Sequence, residues 1–305
     1  MPTIAKKRAR KQIEISSQLP SIYKALLLLI LFAFVVFFSY VSFFHQKPQT
    51  LPQPEVLPTQ DPSSSPSASP TARPLTFEEM NQQFGPCAYV PTLMYHHIEP
   101  LDLAEQEGHK QLTVGDVNFR GQMEYVRKSN HSIISMQQLI EFFDAGMALP
   151  QKPLLLTFDD GYSDFATYAA PILKEYGFAA TVFVPTGLIE NAGYMNWSAV
   201  ENLGHSGGIL MSNHTWSHHS VAEASDMIEK EITTADNQLV IHSLNTPKVF
   251  AYPYGVENET AETILGQKGY LLAFTTQQGS TLCKQKRLTL PRIRIGNAPL
   301  SSYGL

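Results

Sequence analysis

Eight short runs, each apolar almost throughout, constrain this 305-residue chain more than any other feature. They are VPTLMY (90–95), SIIS (132–135), PLLLTF (153–158), AATVFVP (179–185), GILMS (208–212), KVFAY (248–252), LLAFTT (271–276) and LPRIRI (290–295). A strand with water on one face alternates apolar and polar residues. Runs without that alternation need cover on both faces, as in a parallel sheet packed between helices. The intervening segments supply those helices. After Ser163, the residues Phe165, Ala169, Ile172, Leu173 and Tyr176 recur at helical spacing, and Gly177 stands where the helix should stop. Pro171 should kink that helix, because it has no N–H to give to the preceding turn. Seven or eight strand–helix units suffice to close the sheet into a barrel, with catalytic groups gathered at the C-terminal ends of its strands.

A different pattern precedes this region. Lys6, Lys7, Arg8, Arg10, Lys11 and Lys24 lie ahead of residues 25–44, ALLLLILFAFVVFFSYVSFF. About 20 apolar residues in a helix span a hydrocarbon core of roughly 30 Å. A buried core helix would carry a polar face, and a cleaved signal peptide would end in small residues rather than Phe43, Phe44 and His45. The expectation is a transmembrane signal anchor at 25–44, with a basic cytoplasmic tail at 1–24 and the remainder extracellular. That makes a single-pass protein of the cell membrane. Residues 45–75 are dominated by Pro, Ser, Thr and Gln, too poor in apolar surface to offset their ordering entropy, and are expected to form a disordered linker. Residues 76–305 form the expected catalytic domain. The formal net charge of -5 offers no broad basic field, so nucleic acid is excluded as a first partner. Two cysteines are too few for a thiolate metal site.

Two stretches carry chemistry. In L-T-F-D-D-G-Y (156–162), Asp159 and Asp160 stand where an apolar strand ends, and Gly161 lets the backbone turn. Adjacent strand side chains point apart, so one carboxylate can bind a cation while the other handles a proton. A solvated Asp-Asp-Gly turn is the plainer alternative. In S-N-H-T-W-S-H-H (212–219), His214 and His218 are four apart, which on one helical turn aims both imidazoles the same way, while His219 points elsewhere. That spacing suits two nitrogen ligands of one zinc-like ion, a polar His-rich loop being the alternative. Together they describe two imidazoles and one carboxylate around a metal, with a second carboxylate free to take a proton from water.

T-F-D-D-G-Y followed by H-T-x-x-H resembles the polysaccharide deacetylase family, the family 4 carbohydrate esterases, over roughly residues 89–295. The resemblance implies a distorted (β/α) barrel of about seven strands. It also implies Asp159 as general base, and Asp160, His214 and His218 as ligands of a divalent metal ion, usually Zn2+. Thr215 would brace the metal loop by hydrogen bonding. Met195 and Trp197 resemble a stretch that often precedes the histidine motif, Trp197 in a structural role.

The usual Arg-x-Pro-Tyr is replaced by F-A-Y-P-Y-G (250–255), with Ala251 at the arginine position. That departure is shared with the subgroup acting on poly-N-acetylglucosamine. Tyr254 matches the tyrosine whose backbone N–H stabilises the oxyanion. Arg292 is the candidate for the missing cation, an ordinary strand-end arginine being the alternative. The family's late Leu-x-His is absent, since no histidine follows His242. His96 and His97, after the first strand, are the candidates for the acid, and His96 is preferred. Cys87 and Cys283 flank the first and last strands, which a closed barrel makes neighbours, so a disulfide across the seam is expected. The implied function is removal of N-acetyl groups from an extracellular β-linked N-acetylglucosamine polymer, peptidoglycan or exopolysaccharide. The alternatives are an O-acetyl glycan esterase or a non-catalytic glycan-binding module on a decayed barrel.

Overall fold

All eight apolar runs become strands. The computed structural model describes residues 73–222 and 225–305. Seven strands form the ring: β2 (Thr92–Tyr95), β6 (Pro153–Phe158), β7 (Ala180–Val184), β8 (Ile209–Asn213), β9 (Val249–Ala251), β10 (Leu272–Gln278) and β12 (Leu290–Arg294). Every neighbouring pair is parallel, and β12 returns to β2, which also pairs with β6, closing the barrel. The distortion lies at β6. Its start pairs with the two-residue β5 (Ser132–Ile133), and β7 joins it only at Thr157 and Phe158.

Besides β5, four short strands among the described residues lie outside the ring, and the sequence patterns did not announce them. They are β1 (Cys87–Tyr89) with β11 (Thr281–Cys283), antiparallel, and β3 (His97–Glu99) with β4 (Thr113–Gly115), parallel.

The pleat sorts the strand side chains into two layers. On β6, Leu154, Leu156 and Phe158 pack outward against helix residues such as Phe119 and Met123 of α1 (Asp116–Lys128). Leu155 points inward to Phe183, Leu272, Phe274 and Leu290. On β12 the same alternation turns Leu290 inward and Ile293 outward. Two residues on from the inward Leu155 and Leu290 come Thr157 and Arg292, both fully buried. The barrel interior thus ends in polar groups at its C-terminal rim.

The helix after Ser163 answers the proline. Residues Phe165–Ala169 form a π turn, α2 (Ala170–Tyr176) carries Pro171 in its first turn, and Gly177 caps it at φ 67°. The turn ahead of Pro171 is widened, which accommodates its missing N–H at the point where the helix was expected to kink.

Cys87 and Cys283 stand opposite each other in the β1–β11 ladder and are bonded, with Cα atoms 4.1 Å apart. Both are buried.

The expected signal anchor at 25–44, the basic tail and the linker lie outside the described residues. Among the described residues, no helix is long and apolar enough to cross a membrane.

Candidate metal-binding active site

The rim of the barrel gathers side chains from four strand ends. Asp159 and Asp160 follow β6, His214 follows β8, Tyr254 lies past β9, and His96 follows β2.

Strand alternation would send Asp159 and Asp160 to opposite faces. Instead the backbone turns left-handed at Asp160 (φ 73°) and again at Gly161 (φ 67°), which swings the second carboxylate back to the rim. Aspartate tolerates that region better than most residues. Position 161 requires glycine on two counts, since a Cβ there would also sit 2.9 Å from Val184 Cγ1.

His214 and His218 converge on the same oxygen: Asp160 Oδ1 lies 3.3 Å from His214 Nε2 and 3.0 Å from His218 Nε2. The expected helical turn does not form. Thr215 and His218 have φ of 66° and 60°, values that no right-handed helix accommodates, and the loop achieves convergence by its own bends. That loop is held from outside. Glu231, buried on α3 (Ser225–Ile241), accepts from the Trp216 and Ser217 N–H groups (3.0 and 2.8 Å) and from the Ser217 hydroxyl (2.9 Å). Asn213 Oδ1 accepts from the Thr215 N–H at 2.8 Å. The brace expected of Thr215 therefore acts through its backbone, while its hydroxyl has no hydrogen-bond partner.

The donor set fits a divalent ion. His214 Nδ1 lies 2.7 Å from the Ala251 carbonyl, an acceptor only, which makes Nδ1 the protonated nitrogen and leaves the Nε2 lone pair facing Asp160. Asp160 Oδ1 is buried without a hydrogen-bond donor. One ligand atom from each of Asp160, His214 and His218 falls within 4.8 Å of the others, an N2O set of the kind zinc accepts. Burial works against the Asp160 charge, but the two histidines outweigh it and hold the carboxyl well below its ordinary range.

Asp159 has a different environment. Arg292, fully buried, grips both carboxylate oxygens, Nη1 to Oδ1 and Nη2 to Oδ2, each at 2.7 Å. The guanidinium is itself fixed by the Thr275 carbonyl (2.9 Å) and the Thr157 hydroxyl (3.2 Å). Burial would raise the Asp159 pKa, yet the arginine charge and its hydrogen bonds win and keep it below the usual carboxylate range. Arg292 thus reaches the site from β12, where Ala251 on β9 could not.

Of the two candidate acids, His96 is the one within the field of the rim. Burial lowers its pKa, and Asp159 and Asp160 partly restore it. His97 turns the other way, with Nδ1 2.6 Å from Asp164 Oδ2 and its ring stacked between His109 and Tyr162. Tyr254 adopts φ 61°, is 66% exposed, and meets the His218 ring edge to face at 4.7 Å. Met195 is buried in the core, and Trp197 stacks on His242 at 4.0 Å, the structural role expected of it. Glu231 and Asp164 escaped the sequence reading. Each looks like an ordinary helix carboxylate until the loop it supports is in view.

Residues 146–273 match the family model described as polysaccharide deacetylase. The chain is similar to the poly-beta-1,6-N-acetyl-D-glucosamine N-deacetylase of Escherichia coli (strain K12), 25% identical over 251 residues, covering 68% of this chain and 36% of that protein. It therefore spans about a third of that relative's length. The enzyme of the same name from Staphylococcus epidermidis is 22% identical, over 67% of this chain and 78% of its own. Among solved structures, the Streptococcus pyogenes deacetylase PplD in complex with acetate superposes with a TM-score of 0.63 at 28% identity, covering 68% of this chain and 92% of that one. With the rim geometry, these likenesses make residues 146–273 similar to the polysaccharide deacetylase family in sequence and the barrel similar to a solved deacetylase in fold.

Proposed function

We propose that this chain hydrolyses N-acetyl groups on a β-linked N-acetylglucosamine polymer, peptidoglycan or exopolysaccharide, with a divalent ion, zinc by its donor set, held by Asp160, His214 and His218. One observation carries the reading. Two adjacent carboxylates are separated into two electrostatic environments, Asp160 aimed at two imidazoles and Asp159 locked to a buried arginine.

When bound, such an ion supplies Lewis-acid polarisation of the acyl carbonyl and acidifies the attacking water. Asp159 takes the water proton. Arg292 occupies one lone pair on each of its oxygens and leaves the other free. A carboxylate held below its ordinary pKa is a weak base, but it is always ionised and always in one orientation. The C–O bond forms as the proton leaves. The Tyr254 backbone N–H donates to the developing oxyanion, an interaction of a few kcal/mol in such sites. His96 then delivers a proton to the sugar nitrogen as the C–N bond breaks, giving acetate and a free amine. With its pKa lowered by burial, His96 gives that proton up readily.

The names of the similar enzymes support the substrate class, and the basic cluster ahead of residues 25–44 supports a catalytic domain tethered outside the membrane. Acetate release from defined N-acetylglucosamine oligomers, counted against new amines, tests the reading. A chelator should abolish release and zinc restore it. Asp159→Asn should lower kcat about 10³-fold while the ion stays bound. Substantial turnover by that variant in a metal-replete sample removes Asp159 from the base role. Acetate released without a matching amine redirects the reading to ester hydrolysis.

A further inference from the structure

A second histidine–carboxylate cluster lies across Tyr162 from the first. Glu99, at the end of β3, is 3% exposed, and its Oε1 has no hydrogen-bond donor. His109 Nδ1 approaches that oxygen to 3.2 Å. His97, on the same strand, is likewise buried. Each imidazole has its other nitrogen on a carboxylate: His97 Nδ1 lies 2.6 Å from Asp164 Oδ2, and His109 Nε2 lies 3.0 Å from Glu107 Oε2. A carboxylate behind a histidine orients the ring and makes its remaining nitrogen a better ligand, and metal-binding histidines commonly have one. The nitrogens left over are His97 Nε2 and His109 Nδ1, the latter also 3.3 Å from the Thr113 hydroxyl. One ligand atom from each of His97, Glu99 and His109 falls within 4.8 Å of the others.

Charge makes the same case. Glu99, Asp164 and Glu107 surround two imidazoles, and among the described residues their recorded ion pairs are with those histidines, never with a lysine or arginine. A buried carboxylate without a donor is costly and is normally paired or metal-bound. The cluster opens onto a cleft of about 590 Å³ lined also by Tyr162 and Tyr194, so an ion has a way in.

We propose that His97, Glu99 and His109 form a second divalent-cation site, of the zinc-binding N2O kind, separate from the Asp160 set. It is a structural site. It ties β3, which begins one residue after His96, to the turn that leads into β4, and so fixes the strand end that presents His96. The rings of His97 and His109 are stacked with centroids 3.9 Å apart, and His109 is the more exposed of the two.

The proposal stands apart from the catalytic reading and is tested without an activity assay. The full-length chain is stripped of metal, reloaded with Zn2+, desalted and analysed for bound zinc by mass spectrometry, with folding followed by near-UV circular dichroism. The double variant Asp160→Asn/His218→Ala, disabled in the first set, should retain about one equivalent. Adding His109→Ala should remove it, and adding Glu99→Gln should weaken it about 10- to 100-fold. No zinc in the double variant overturns the second site, as does an equivalent that survives both additions. If the double variant does not fold, the unaltered chain and the single His109→Ala variant are compared instead. Two equivalents against one is the expected result, and equal counts refute it.

Discussion

The rim of the barrel and its disulfide seam are stabilised in opposite ways. At the rim, Asp159, Asp160 and Arg292 are all buried, and two consecutive residues sit in left-handed backbone conformations. Removing charges from water costs several kcal/mol per ion, and their mutual attraction repays this only with good geometry. Residues held at positive φ add to the cost. At the seam, β1 and β11 make a short ladder whose buried cysteines are bonded across 196 residues of sequence. A cross-link of that span restricts the unfolded chain and adds nothing to the chemistry. The difference teaches where this fold keeps its function and where it keeps its stability. The rim is a concentration of groups that would relax if released, and the seam limits how far the chain can relax.

Removing the bond tests the seam first. Cys87→Ser/Cys283→Ser should lower unfolding free energy by about 5 kcal/mol on the chain-entropy estimate for so long a loop. Below the unfolding transition, kcat/KM should barely change. Loss of activity in chains that remain folded by circular dichroism would erase the distinction between the two regions. Next comes Arg292→Met, which leaves Asp159 buried and unpaired and should cost about 3–5 kcal/mol, read by denaturant titration. The pH dependence should also reverse. In the natural pair the Asp159 pKa is depressed, so its contribution to stability is present above the unfolded value of about 3.9 and fades as pH falls through the lower native one. Without the arginine, burial dominates and the pKa rises, so stability falls as pH rises and the acid limb of the rate profile moves upward. A variant whose acid limb stays in place would show that Arg292 does not set the charge of Asp159. The smallest effect is expected from Glu231→Ala, which frees the loop between the two histidines. Metal affinity should fall about 10- to 100-fold with little change in melting temperature. A large stability loss with unchanged affinity would move Glu231 from the rim's support to the core's.

Much of this molecule is legible in its residues. The unbroken apolar runs predicted buried parallel strands, and the seven-strand ring contains seven of the eight. The eighth, at Ser132–Ile133, is too short to complete a circuit and pairs only with the start of β6. Asp160, His214 and His218 come together as their spacing suggested, but by another route. A four-residue interval fits a helical turn as well as it fits this loop, and the choice lies in φ angles that spacing does not encode. His96 and His97 are nearly indistinguishable as letters. The strand direction sends one towards the rim and the other to Asp164.

By itself the sequence determined the strands of the ring, the paired carboxylates, the two imidazoles and the cysteines available to close the seam. These are matters of residue type and local period, and local physics reads them directly. Tertiary structure alone decided that Arg292 would meet Asp159 across 133 residues, that Glu231 would hold the histidine loop, and that His109 would come to lie against Glu99. Each of those pairings joins segments whose separation carries no periodic signal. They form only once the barrel has closed and fixed which strand ends share a rim.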